Sequence, residues 1–311
     1  IMSSDWSSDV CSSDLGNELE DEAVYAMGDC YYNSGRYEEA AFQYKKVITL
    51  HPESDIVGDA VTGLQQALMQ SGKSREEIDA VDTLIVNVAD KEKAATIIQR
   101  KAEFAFDQGN YGRAIEQYSA LINDYPDSKA AAAAWFQIGA AHQQQGNIQT
   151  ALESYTTQRQ QYPQASLTPQ AMLRAGEILL HRGDYKAARE NFHDIEKHYK
   201  NSPVIGEALY LTGLTHLENK NYESAREYFN RSIELAAETR LKQKSSLGLC
   251  RIMIENNDHQ QAIQRLNQII NQADNDINAE AQYLLGEASR GQGDLRSAAV
   301  AYLKVKYLYG S

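Results

Sequence analysis

The sequence predicts an all-α chain, an α-solenoid of about eight antiparallel helix pairs. Three observations predict it. Residue types recur with a period of 37. The recurring columns are small, then glycine, then alanine, then aromatic, always in that order. Apolar residues inside each half-unit follow i, i+3, i+4 spacing, as in Ile115, Tyr118, Leu121 and Ile122. No strand-like alternation competes. One helix pair cannot cover its own apolar face, so neighbouring pairs must stack.

The units begin at Asp21, Gly58, Ala95, Ala132, Pro169, Gly206 and Gln243, and after a final step of 36 at Ala279. The first helix of each unit carries a small residue at Gly28, Ala102, Gly139, Gly176, Gly213, Cys250 and Gly286, with Gln65 the exception. A small side chain there lets two helices approach closely. The turn follows, marked by Gly35, Gly72, Gly109, Gly146, Gly183 and Gly293, which suit a left-handed helix end. Asn257 takes this place in the seventh unit, and Lys220 interrupts it in the sixth between Asn219 and Asn221.

The second helix carries Ala40, Ala114, Ala151, Ala188, Ala225, Ala262 and Ala298, with Glu77 in unit two. This alanine column is expected to face the small column across the helix pair. Four residues on stand Tyr44, Tyr118, Tyr155, Phe192, Phe229 and Tyr302, with Val81 and Leu266 in the remaining units. A large residue beside small ones is expected to fill the gap to the next unit. Pro52, Pro126 and Pro163 end the second helix. "KAAAAAW" from Lys129 reads as a strong helix opening. Unit two, Gly58–Ala94, departs most from the pattern.

These residues resemble the tetratricopeptide repeat over nearly all of 21–310. The usual period is about 34. The added length, with "YPDS" at 125–128 and "YPQAS" at 162–166, is similar to a bacterial envelope subgroup. That subgroup includes the periplasmic Tol-Pal coordinator and the outer-membrane assembly lipoprotein. The resemblance implies a right-handed superhelix and a periplasmic or outer-membrane-associated location.

It also implies that the fifth, ninth and twelfth residues of each unit line a concave groove for a protein or peptide partner. The candidates are Tyr25, Asp29, Tyr32, Glu103, Phe106, Phe136, Gln143, Glu177, Tyr210, Leu214, Arg251, Tyr283, Glu287 and Arg290. Gln99, Leu173, Leu180, Leu217, Leu247 and Ile254 stand in the same columns. Such a lining suits an extended or helical apolar peptide bearing Lys or Arg. The Lys, Arg and Asn set with which chaperone-binding relatives hold a carboxylate is absent.

Composition narrows the partners. A net charge of −13 repels nucleic acid and anionic membrane surfaces. No run of about 18 apolar residues occurs, so no span of a membrane is expected. The 19 tyrosines favour a protein-contacting surface. Cys30 and Cys250 are far apart and form no CxxC pair.

Chemistry finds no constellation. His193 and His198 are five residues apart and so lie on different helix faces. "GQGD" at 291–294 lacks the strand of a phosphate loop, and no nucleophile elbow occurs. No enzyme activity, cofactor or metal is expected.

The first fifteen residues stand outside the pattern. "DWSSDVCSSDL" at 5–15 reads as an in-frame translation of a common sequencing-library adapter, and residues 1–15 are set apart on that expectation. The domain reading is therefore one solenoid over 16–311. "YLKVKYLYGS" at 302–311 has no polar capping helix after it, so truncation is expected at both ends. The leading function is a non-enzymatic interaction scaffold in a bacterial envelope complex. The alternative is the helical arm of a larger enzyme or regulator whose catalytic or DNA-binding domain lies beyond an end.

Overall fold

A computed structural model of the chain describes residues 20–52, 54–73, 81, 91–270 and 275–309. The adapter-like stretch and most of the expected second helix of unit two lie outside them. The chain divides into two compact units, Ile1–Ala165 and Ser166–Ser311.

The described helices of the N-terminal unit are α1 (Glu20–Asn33), α2 (Tyr37–Leu50), α3 (Val57–Gln70), α4 (Lys91–Asp107), α5 (Tyr111–Asp124), α6 (Lys129–Gln144) and α7 (Ile148–Gln161). Those of the C-terminal unit are α8 (Thr168–His181), α9 (Tyr185–His198), α10 (Ile205–Glu218), α11 (Tyr222–Leu235), α12 (Thr239–Glu255), α13 (His259–Ile270), α14 (Asn275–Gly291) and α15 (Leu295–Lys304). A π-helical turn, Val305–Tyr309, follows α15. Within each unit the helices pack as antiparallel hairpins on their neighbours in sequence, the arrangement of an α-solenoid. No helix among the described residues is long and apolar enough to cross a membrane.

The turns behave as their residues dictate. Gly183 has φ +79°, and its N–H together with that of Asp184 caps the carbonyls of Leu180 and Leu179 at 3.0 and 2.9 Å. Asp184 then accepts a hydrogen bond from the Ala187 N–H at 3.2 Å and starts α9. Lys220 and Asn257 adopt the same left-handed backbone, at φ 55° and 63°. The turn geometry thus overrides the loss of glycine. Helices α2, α5 and α7 stop before Pro52, Pro126 and Pro163, and His51, Tyr125 and Tyr162 leave the helical region with ψ of 54–58°.

The alanine column is buried without exception among the described hairpins, from fully covered Ala40 to Ala298 at 3% exposure. The aromatic column is buried with it: Tyr44, Tyr118, Tyr155, Phe192 and Phe229 are each 3% exposed or less. The small residue of the first helix holds the aromatic ring of its own hairpin. A Cβ at Gly176 would come within 2.3 Å of the Phe192 ring, and one at Gly28 within 2.6 Å of Tyr44. The rings also reach forward, as expected. Tyr44 lies against Gly63, and Phe229 lies against both Gly213 and Gly248. A ring wedged between two backbones locks one hairpin to the next, which explains why side chains are missing there. Burying such a ring is worth about 3–5 kcal/mol against alanine.

Candidate partner-binding grooves

The first helix of each hairpin presents the fifth, ninth and twelfth positions near the edge of this ring-on-glycine core. What each residue does depends on its length. At the fifth position Leu173 and Leu247 are 1% exposed and belong to the core, contrary to their expected place in the groove. The longer tyrosines emerge: Tyr25 and Tyr210 are half-buried and Tyr283 is 51% exposed.

In the N-terminal unit the structure brings Tyr25, Asp29, Tyr32 and Glu103 together around an open recess of about 370 Å³. Tyr25 leans on Tyr44 with ring centroids 5.5 Å apart, and burial raises the pKa of its hydroxyl, with Asp29 adding to the shift. The Tyr44 hydroxyl donates to Asp29 at 2.7 Å, so a core ring fixes a groove carboxylate. Gln99 donates to Glu103 at 2.7 Å. Asp59, Arg100 and Asp107 complete the wall, and Arg100 pairs with Asp59. Phe106 stands aside, packed edge-on to Tyr111 at 5.2 Å. Phe136 and Gln143 belong to another hairpin, where Phe136 tilts against Tyr155 and Gln143 accepts the Tyr155 hydroxyl at 3.1 Å.

In the C-terminal unit Arg251, Tyr283 and Glu287 share a recess of about 350 Å³ with Leu217 and Ile254. Glu218, Lys220, Tyr222, Glu255 and Leu284 also line it. Arg251 reaches Glu280 at 2.8 Å. Glu287 accepts from the Tyr302 hydroxyl and from Arg290, both at 2.5 Å. The Tyr302 bond is the main reason its carboxyl sits below the usual range. Burial, then the same bond, pushes Tyr302 up to about 12. Tyr210 and Leu214 are partly buried on the Phe229 core and lie outside this recess, with Tyr210 also pushed to about 12, mainly by burial. Glu177 pairs with Arg174 at 2.7 Å.

Asp59, Asp107, Arg100, Lys220, Tyr222 and Glu255 were not among the candidates. A signal existed for some. Asp107, Glu218 and Glu255 all hold the thirteenth position, one residue past the column used. Arg100 had none, because it reaches Asp59 over Gly58, where a Cβ would meet its side chain at 2.7 Å. Among the described residues no three His, Cys, Asp or Glu side chains converge as metal ligands.

Family comparison agrees with this geometry. Residues 156–307 match the tetratricopeptide repeat-like domain, and residues 21–54, 66–128 and 100–166 match tetratricopeptide repeats. No curated protein matches the sequence. Among solved structures, pilF of Pseudomonas aeruginosa is 19% identical with a TM-score of 0.56, over 71% of this chain and 95% of that one. BtubC of P. vanneervenii is 13% identical with a TM-score of 0.53, over 67% and 89%. At such identities the likeness speaks for the fold.

Proposed function

We propose that this tetratricopeptide-repeat chain is a non-enzymatic scaffold that holds a segment of a partner protein against the first helices of its hairpins. The observation that carries the reading is the exposure of Tyr283 in a recess shared with Leu217, Ile254, Arg251 and Glu287. A large, half-exposed ring flanked by aliphatics and rimmed by charge is the composition of an interaction hot spot. The second recess, with Tyr25 and Tyr32 beside carboxylates, repeats the rings and the charge without the aliphatics. We assign the complex to a bacterial envelope, on the 37-residue period and the Tyr-Pro segments that end the second helices.

The test is capture of partners by the immobilised chain, with each retained protein identified. Tyr283→Ala is expected to lose partners that Lys186→Gln retains. Tyr283 is the cleaner probe, because Tyr210 also packs on Phe229, with ring centroids 6.0 Å apart. Identical partners on both variants would remove the assignment of the groove. Periplasmic recovery of the native gene product would support the envelope reading, and purely cytosolic recovery would end it.

A further inference from the structure

The recess of the N-terminal unit differs from an ordinary apolar groove in one respect. Asp29, Asp59, Glu103 and Asp107 surround it, and Arg100 is the one cation that lines it among the described residues. Arg100 is already committed to Asp59. Asp29 and Glu103 receive only neutral donors, from Tyr44 and Gln99, and neither they nor Asp107 form an ion pair among the described residues. Uncompensated carboxylates beside aromatic walls raise the local concentration of cations.

The size of the cation follows from the spacing. These carboxylates do not converge as metal ligands. They stand apart around an opening of about 370 Å³ walled by Tyr25, Tyr32 and Phe104. That suits a planar organic cation that stacks on a ring while donating to separated acceptors. Arg100 stands among the same lining residues with its guanidinium paired to Asp59.

We propose that the N-terminal recess takes an arginine side chain of an extended partner peptide, stacked beside Tyr25 and Tyr32 and paired with Glu103 and Asp107. This rests on the scaffold reading above and names the partner's chemistry. Charge complementarity selects the occupant: the lining carries four acids against one base, within a chain of net charge −13.

The test uses the full chain and two labelled peptides, acetyl-Gly-Leu-Arg-Gly-Leu-Arg-Gly-amide and its citrulline counterpart, followed by fluorescence anisotropy at 0.15 M salt. Citrulline keeps the planar donor group and removes the charge. The arginine peptide is expected to bind about fivefold or more tightly than the citrulline one. The Glu103→Gln, Asp107→Asn double variant is expected to lose about fivefold in affinity for the arginine peptide, with Glu255→Gln in the other recess within about twofold of the parent. Folding of the double variant is checked by its melting temperature. Equal binding of both peptides, or an equal loss from Glu255→Gln, overturns the inference. If Tyr25→Ala weakens both peptides equally, the groove stands and the cation assignment falls. If neither peptide binds, the cation assignment falls and the captured partners alone judge the groove.

Discussion

The recess of the N-terminal unit and that of the C-terminal unit use the same helices of the repeat but differ in charge and in exposed apolar surface. The first sets four carboxylates against Arg100. The second sets Glu218, Glu255 and Glu287 against Lys220 and Arg251, and adds Leu217, Ile254 and a more exposed Tyr283. Both are anchored in the same way, by the tyrosine of the aromatic column, which donates to the ninth residue: Tyr44 to Asp29, Tyr302 to Glu287. The repeat columns therefore place a recess, and the residues between the columns set its chemistry.

The largest expected effect comes from removing a ring of the aromatic column that locks the hairpins. Phe229→Ala is expected to cost about 3–5 kcal/mol in chemical denaturation, because Phe229 is fully buried against Gly213 and Gly248. A loss below about 1 kcal/mol would show that the ring does not lock the hairpins. Next in size is Ala188→Leu, which overpacks a fully buried site and is expected to cost about 1–3 kcal/mol. The exposed Lys186→Gln beside it is expected to cost less than about 0.5 kcal/mol.

The anchors themselves separate the hairpins. Tyr44→Phe strips Asp29 of its donor and is expected to cost about 1 kcal/mol. Tyr118 holds the same column in the third unit, yet its fully buried hydroxyl has no hydrogen-bond partner among the described residues. Tyr118→Phe is therefore expected to be neutral or stabilising. Equal losses at the two sites would contradict the anchoring role.

Acidity sharpens the contrast within the C-terminal unit. Glu287 has a depressed pKa, so its contribution is present above the ordinary value of 4.5 and is lost as pH falls through the folded value. Glu207 has the opposite sign. Burial first, then Glu177, raises its pKa, so folding is penalised as pH rises from about 4.5 through the raised value. Glu207→Gln is expected to be more stable than the parent at pH 7, and the gain is expected to vanish below about pH 4.5. A variant less stable at pH 7 would reverse the sign. The smallest effect belongs to Lys220→Gly, which relieves a left-handed lysine and is expected to add about 0.5 kcal/mol.

Most of this fold was legible in the sequence because it rests on residues with one physical use. Glycine at the turn, alanine inside the second helix and a large ring four residues on each leave little choice of environment. The columns did not reveal that the ring meets the small residue of its own hairpin, since periodicity orders residues along helices without saying which cross. They did not reveal that Lys220 would follow the turn in spite of its side chain. The groove was half legible. Tyr25, Asp29, Tyr32 and Glu103 meet as their positions require, and so do Arg251, Tyr283 and Glu287. Leu173 and Leu247 at the fifth position sink into the core, while the longer tyrosines of that column emerge. Arg100 was hidden because its place depends on Gly58 of the preceding unit.

The central claim is that partners lie against the first helices. It is tested most directly by placing the photo-crosslinker p-benzoylphenylalanine at Tyr25, at Tyr283 and, on the second helix α2, at Phe42, which is 66% exposed. Irradiation in the native host is expected to give partner adducts from residues 25 and 283 and none from residue 42. Adducts from residue 42 alone would contradict the account.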